Sequence, residues 1–421
     1  RRDASNLFGI NTNQKWTPLW SGGGSWNISK ENFYTGKLLP FLKLRVTYGY
    51  TGNADPNRSG VITVYYNPNS YNTGFSQARI RQYPNPYLKW EKVGIANIGI
   101  DFASKNNRIS GSVDWYVKNG KDLFGAAPVD ITDGLGSNGL TKNVASMKSH
   151  GADIVINTKN TKGKFGWNTG LIFNYNADKV TNAYIANASA ANYLTNGDGI
   201  TQLEGKPVHS VMTYKWGGLE HSTGNPQGFV NGSLSTDYGA ITGPGTSVND
   251  LIYNGPALPT IFGSLTNSFT WRNLEMTVNI SYKFHYFFLR QPLNYSNLVS
   301  GADKKSTSDF AARWQVPGDE AKTDVPSFQY PVDGSRDAFY ANSSTLVEKG
   351  DHIRLQFITL SYLLPLHNPS SFPATNVPLY ANASNLGILW RANKKGIDPD
   401  YSTTTIPPSK ACAFGVRIFL K

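Results

Sequence analysis

Polar and apolar residues alternate along this chain with a period of two, and the longest such run is Leu274 to Phe288. Leu274, Met276, Val278, Ile280, Tyr282, Phe284, Tyr286 and Phe288 share one parity; Glu275, Thr277, Asn279, Ser281, Lys283 and His285 share the other. Successive side chains of a strand point to opposite faces, so the segment predicts a strand with one greasy and one wet face. The same alternation recurs in Leu42–Tyr50, Ile109–Val117, Ile261–Trp271 and Phe414–Leu420. In Ile353–Leu364 the apolar phase slips between Phe357 and Ile358, which predicts a β-bulge. A single strand of this kind also fits a soluble sandwich, where a second sheet covers the apolar face. Two details favour lipid: the 274–288 run exceeds the ~9–11 residues that cross a bilayer, and its apolar face turns aromatic at one end. Polar residues fill the second face in nearly every strand, so that face meets water. The pattern predicts an all-β fold, an antiparallel transmembrane β-barrel with a wet interior.

Eleven strands are predicted, near 16–29, 41–51, 88–103, 108–118, 147–157, 165–176, 259–271, 274–288, 351–364, 377–389 and 409–420. Links after the odd-numbered strands are short and those after the even-numbered ones long, the largest at about 177–255 and 289–348. Short periplasmic turns alternating with long external loops are the asymmetry of an outer-membrane barrel. Bacterial single-chain barrels close with even strand numbers, so eleven strands are expected to be the C-terminal half of a larger one. Residues 1–421 are therefore read as one wall segment, with ten or more strands elsewhere.

Composition agrees with a wall. Aromatics make up 13% of the chain and charged residues only 16%, a mixture foreign to helical and α/β domains. The formal charge of +12 raises the question of nucleic acid, but Lys and Arg are scattered, without a basic helix or dense run to track phosphates. The single cysteine, Cys412, excludes an internal disulfide and a cysteine metal site. No basic-apolar-small leader opens the sequence at Arg1-Arg2-Asp3.

The chain resembles the C-terminal barrel half of a SusC/RagA-type TonB-dependent outer-membrane transporter of Bacteroidetes. The likeness is carried by Lys43-Leu44-Arg45-Val46-Thr47-Tyr48-Gly49 running into Thr51-Gly52-Asn53, and by Asn85-Pro86-Tyr87-Leu88-Lys89-Trp90-Glu91. Further on stand Arg313-Trp314-Gln315-Val316-Pro317-Gly318-Asp319, Ile353-Arg354-Leu355-Gln356-Phe357, and Gly396-Ile397-Asp398-Pro399-Asp400. Each is weak alone; their order and spacing make the likeness specific. Two departures stand out: Ala145 and Ser149 within Asn143–Gly151, and the non-aromatic ending Leu420-Lys421. The resemblance implies a 22-stranded plugged barrel in the Gram-negative outer membrane, surrounded by outer-membrane lipid. It implies import of oligosaccharides or other nutrient fragments, capped by a SusD-like surface lipoprotein and powered by TonB through a region outside this chain. The alternatives are a peptide importer of the RagA type and a passive porin or adhesin-like barrel.

Candidate residues follow from exposure and parity. Tyr65, Tyr66 and Tyr71, with Phe75 and Tyr83, crowd the second connection, and Tyr214 and Trp216 lie in the largest one. Such aromatics stack on sugar rings, or else pack loops together. Lys43, Arg45, Asp114, Lys118, Glu275, Lys283, His285 and Arg354 take the polar parity and are expected to face the lumen or its plug. Gly134-Leu135-Gly136-Ser137-Asn138-Gly139 fits G-x-G-x-x-G but lacks the flanking strand and helix a dinucleotide site needs. The six histidines are dispersed, and no carboxylate pair or nucleophile–base arrangement emerges. No cofactor, metal, catalytic residue or nucleic-acid partner is expected.

Overall fold

The computed structural model describes residues 2–4, 16–53, 62–70, 72–82, 85, 87–127, 140–184, 189–194, 197, 199–302, 307–365, 374–402 and 406–420. One large antiparallel sheet dominates. Its strands are β1 (Ser21–Trp26), β2 (Phe41–Asn53), β3 (Glu91–Ala103), β4 (Ile109–Ala127), β5 (Leu140–Lys159) and β6 (Phe165–Ala183). They continue as β7 (Ile261–Trp271), β8 (Leu274–Phe284), β9 (His352–Leu364), β10 (Ala374–Arg391) and β11 (Ala411–Val416). Neighbours in sequence are neighbours in the sheet from β1 to β11, an uninterrupted meander. All eleven predicted strands are present. No helix of the described residues is long and apolar enough to cross a membrane.

The register keeps the two parities apart. In the first compact unit (Arg1–Thr158, Ile172–Asn187, Ile200–Val208), Val46 lies opposite Ile98, Ile98 opposite Trp115, and Val113 opposite Ile154. On the other face Thr47 meets Asn97, and Asn97 meets Tyr116. In the second unit (Lys159–Leu171, Ala188–Gly199, His209–Lys421), Leu265 lies opposite Ile280 and Val278 opposite Ile358. There Thr266 meets Asn279 and Thr277 meets Thr359. Because the period is two, a slip of one residue would put every apolar side chain on the wet face. β9 shifts register with β10 at Ile353/Arg354 and again across Gln356, and the second shift is the expected bulge, one residue earlier than the sequence placed it. Gln356 is left out of register with both neighbours, and its Nε2 donates to Ser281 Oγ at 2.7 Å.

Strand ends depart from expectation. β4, β5 and β6 run 19, 20 and 19 residues, about 60 Å at roughly 3.3 Å per residue, twice a hydrocarbon core of about 30 Å. Their outer halves stop alternating because both faces become covered: Leu123, Val144, Ala145 and Val180 pack with Val208 into a buried cluster. β8 is shorter than predicted. It stops at Phe284 because His285 takes φ 61°, a left-handed backbone that leaves the ladder. Tyr286 and Phe288 are consequently buried against the connection rather than placed in an aromatic girdle. The final strand is broken as well: β11 ends at Val416, and Phe419–Leu420 pairs separately with β10. Gly134–Gly139, Tyr71, Tyr83 and His367 lie outside the described residues.

The long connections of the second unit have a core of their own. Strand Ser210–Tyr214 pairs with Leu251–Pro256, and Phe287–Leu289 pairs with Val347–Lys349. The helix Gly334–Ala341 starts at Asp333, whose carboxylate accepts from Ser335 N at 2.8 Å. It delivers Phe339 (0% exposed) and Tyr340 (2% exposed) beneath Trp216, with Leu289 and Leu346 alongside. Trp314 lies flat against Gly224, where φ is +68° and a Cβ would stand 2.3 Å from the indole, so only glycine fits.

Three outcomes follow. Ile280→Arg should destabilise the protein by about 2–4 kcal/mol where its position approaches the bilayer midplane, read as a lower midpoint of heat-modifiable mobility. In cysteine labelling, positions 277, 279 and 281 should react with aqueous reagents and 278 and 280 should not. Phe339→Ala should cost about 3–5 kcal/mol locally. Protease should then cut 184–260 and 285–351 faster while the sheet itself stays heat-modifiable.

Candidate functional site

The wet face of the first unit carries a self-contained charge cluster. Arg45 on β2 grips Asp101 with two parallel bonds, Nε–Oδ2 at 2.9 Å and Nη2–Oδ1 at 2.8 Å. The same Nη2 reaches Asp114 Oδ2 on β4 at 3.0 Å, and Asn97 Nδ2 donates to the other Asp114 oxygen at 3.3 Å. Gly99 sits between them, since a Cβ there would stand 2.3 Å from Asp114 Oδ1. Lys43 faces Asp101 across the register, and the Lys118 ammonium lies 4.4 Å from the centre of the Tyr116 ring. Arg45 and Asp114 are therefore matched within the wall itself.

In the second unit a loop closes onto the strands. Asp398 and Asp400 belong to the connection 392–410, where Pro399–Tyr401 forms a short 3-10 turn and Asp398 Oδ1 accepts from Asp400 N. That turn presents both carboxylates to β8 and β9. Lys283 Nζ reaches Asp400 Oδ1 at 2.7 Å, and Arg354 Nη2 bonds both Asp398 and Asp400, the latter at 3.1 Å. His352, 1% exposed, places Nε2 3.3 Å from Asp400 Oδ2 and Nδ1 2.9 Å from the Gly350 carbonyl. Burial pushes the Asp400 carboxyl up, but the His352 and Lys283 hydrogen bonds and charges outweigh it. They hold the group below the usual carboxylate range. Glu275 is exposed on the wet face of β8. His285 is not on that face: it lies past the end of β8, exposed, with Nδ1 2.8 Å from Thr260 Oγ1. Sequence reasoning missed His352, Asp398 and Asp400 as partners of Lys283 and Arg354. The only signal was the Gly396–Asp400 motif.

The candidate aromatics divide. Tyr214 is 4% exposed and belongs to the loop core, while Trp216 is half-buried and stacks one face on Phe339 at 6.3 Å. Tyr65 and Tyr66 lie on a hairpin, Thr63–Asn67 paired with Gln77–Gln82, and stay open at 42% and 83% exposure. Phe75 at its turn is likewise exposed. A second clasp ties the largest connections together. Glu320 accepts from Trp314 Nε1 at 3.1 Å and pairs with His221 Nδ1 at 2.6 Å. Its carboxyl is lowered to about 2, chiefly by His221 and then by backbone N–H groups and Trp314. Among the described residues no group of three His, Cys, Asp or Glu is arranged to hold a metal ion.

A family profile described as TonB dependent receptor-like, beta-barrel matches residues 1–257. The chain belongs to that family. Curated relatives include TonB-dependent receptor P3 of Formosa agariphila, 27% identical over 95% of this chain and 40% of its own length. TonB-dependent receptor SusC of Bacteroides thetaiotaomicron is 26% identical over 95% of this chain and 39% of its own. The chain thus spans about two fifths of these relatives. Among solved structures, the RagAB peptide importer in a closed-closed state aligns with a TM-score of 0.74 at 22% identity. That alignment covers 99% of this chain and 45% of the other, and it shows a shared fold. The TonB-dependent receptor barrel accounts for the eleven-strand meander and its two-sided register.

The Asp400 cluster gives a pH-dependent outcome. Asp400→Asn should cost roughly 1–3 kcal/mol by leaving Lys283 and Arg354 short of an acceptor. The folded-state pKa is depressed, so the carboxylate's contribution is complete above the ordinary carboxylate range and is lost as pH falls below it. The difference in thermal midpoint between wild type and Asp400→Asn should therefore shrink as pH drops below about 4.

Proposed function

We propose that this chain is the C-terminal part of the wall and external connections of an outer-membrane transporter. In this reading it imports oligosaccharides or related nutrient fragments with a SusD-like lipoprotein as its lid. The observation that carries the reading is the register: eleven strands keep one face apolar and the other polar, with connections alternately short and long. An apolar outer face needs lipid, and a polar inner face needs water or a plug. Membership of the TonB-dependent receptor family supports uptake driven through TonB by a region outside this chain. Lys43, Arg45, Asp114, Lys118, Glu275, Lys283 and Arg354 line the polar face; the clusters at Arg45 and Arg354 stiffen it, leaving Lys43, Lys118 and Glu275 for plug contact. Cargo would be held between the long connections and the lid, then pass inward once the plug is displaced. No covalent step is involved.

Of the ligand-facing candidates among the described residues, Tyr65 and Tyr66 are the most open, because the hairpin leaves their rings exposed. Tyr66→Ala should lower uptake about fivefold or more at limiting substrate, the loss of one stacking contact of about 1 kcal/mol, while surface abundance stays unchanged. The test is growth and uptake by a strain lacking the full-length gene, complemented with wild type or Tyr66→Ala. Glycan fragments form one arm and peptides of matched size the other. Recovery on peptides alone would replace the glycan reading by a peptide importer. Uptake that continues without TonB would replace both by a passive pore. Absence of a lipoprotein partner on co-purification would remove the lid.

A further inference from the structure

The positive charge of this chain is unevenly placed. The five short connections, 27–40, 104–108, 160–164, 272–273 and 365–373, carry Lys30, Lys37, Lys105, Arg108, Lys162, Lys164 and Arg272 but a single acid, Glu31. The two largest connections, 184–260 and 285–351, instead hold fourteen acids against nine Lys and Arg. Within the second unit the basic end adjoins an apolar groove. Phe165, Phe269, Trp271, Leu274, Met276 and Leu360 line a cleft of about 340 Å³ on the apolar face, where β6 begins and β7 turns into β8. Phe269 stacks on Phe165 at 6.2 Å and on Trp167 at 6.0 Å, which gives the groove a stiff aromatic wall. Lys164 directly precedes Phe165, and Arg272 directly follows Trp271. The Arg272 guanidinium lies 5.3 Å from the centre of the Trp271 ring. Lys162, Lys164 and Arg272 are exposed, and among the described residues none of them enters an ion pair.

We infer that this corner is a seat for an anionic phospholipid, with an acyl chain in the groove and its phosphate between Lys162, Lys164 and Arg272. The inference rests on the outer-membrane orientation proposed above, in which the short connections meet the periplasmic leaflet. Charge complementarity selects the lipid: cations without acids of their own attract a headgroup of net negative charge, by about fivefold per Lys or Arg. The groove selects a chain rather than a free phosphate, because its lining is apolar throughout. A peptide in the same place would leave backbone N–H and C=O groups unpaired at the edge of hydrocarbon. Tryptophan and phenylalanine at this depth match the aromatic belt that borders acyl chains.

The test is native mass spectrometry of the full-length transporter from mixed micelles holding phosphatidylglycerol and phosphatidylcholine of equal chain length. Phosphatidylglycerol should be retained several-fold over phosphatidylcholine, and Lys164→Gln or Arg272→Gln should each cut that preference about fivefold. Met276→Trp, which fills the groove, should lower retention of both lipids and leave their ratio alone. Raising ionic strength on the wild type should erode the preference without any mutation, which covers variants that fail to fold. Equal retention of the two lipids, or a preference untouched by Lys162→Gln/Lys164→Gln/Arg272→Gln and by salt, overturns the inference alone. A wild-type protein that does not insert into phosphatidylcholine vesicles at all overturns the outer-membrane reading together with it.

Discussion

Every other feature depends on the need of backbone N–H and C=O groups for partners where water is absent. In hydrocarbon an unpaired group costs several kcal/mol, so a strand survives only inside a continuous ladder. The ladder then imposes its own period. Once Val46 is opposite Ile98, Thr47 must be opposite Asn97, and the side chains sort themselves into an apolar and a polar face. The charged residues inherit their meetings from that sorting. Arg45 finds Asp101 and Asp114 because three adjacent strands bring the polar parity side by side. Gln356 shows the tolerance of the rule: one extra residue is admitted where its amide finds Ser281, and the strand resumes with its faces restored.

The same constraint explains what the sequence made legible. Strand number, order and centre could be read because alternation is a backbone property, visible wherever one face is greasy and the other wet. Strand ends could not, for two physical reasons. Past their alternating halves, β4, β5 and β6 continue with both faces covered, so Leu123, Val144 and Val180 carry no period-two signature. At His285 a single positive φ ends β8 in mid-pattern, and a torsion angle leaves no mark on parity. The loop aromatics posed a harder problem. Tyr65 and Tyr214 occupy similar mixed surroundings in sequence, each with a Thr, a Val and another aromatic within three residues, yet one stays open on a hairpin and the other is buried under Phe339. Only tertiary packing separates them. The carboxylates that meet Arg354 were equally hidden, since Asp398 and Asp400 lie 44 and 46 residues away.

Motifs that carry the family likeness turn out to be fasteners. Asn143 Nδ2 donates to the Lys89 carbonyl while Lys89 N donates back to Asn143 Oδ1, both at 2.9 Å. Asn85 Nδ2 bonds the Thr141 carbonyl, and Leu88, Trp90 and Phe124 pack together beneath. The stretch Asn85–Glu91 is thereby sewn to the start of β5. Arg313–Asp319 serves similarly, sending Trp314 onto Gly224 while Asp319 caps the following turn through Gln315 N and Val316 N. The 313–319 motif fastens connection to connection, and the 85–91 motif fastens a connection to a strand.

A connection with its own core constrains where recognition can reside. Phe339, Tyr340 and Leu346 have almost no exposed surface, and Arg290, 4% exposed, is fixed between Asp309 and Asp324. Residues committed in this way set the position of the backbone and are closed to a ligand. The Asp398–Asp400 turn is likewise committed, since its carboxylates are occupied by Lys283, His352 and Arg354. Tyr66, by contrast, lies on a paired hairpin of the first unit and is 83% exposed, the open ring proposed for ligand contact. An exposed ring on an ordered strand loses little conformational entropy when a ligand stacks on it, so its contact energy is delivered nearly whole.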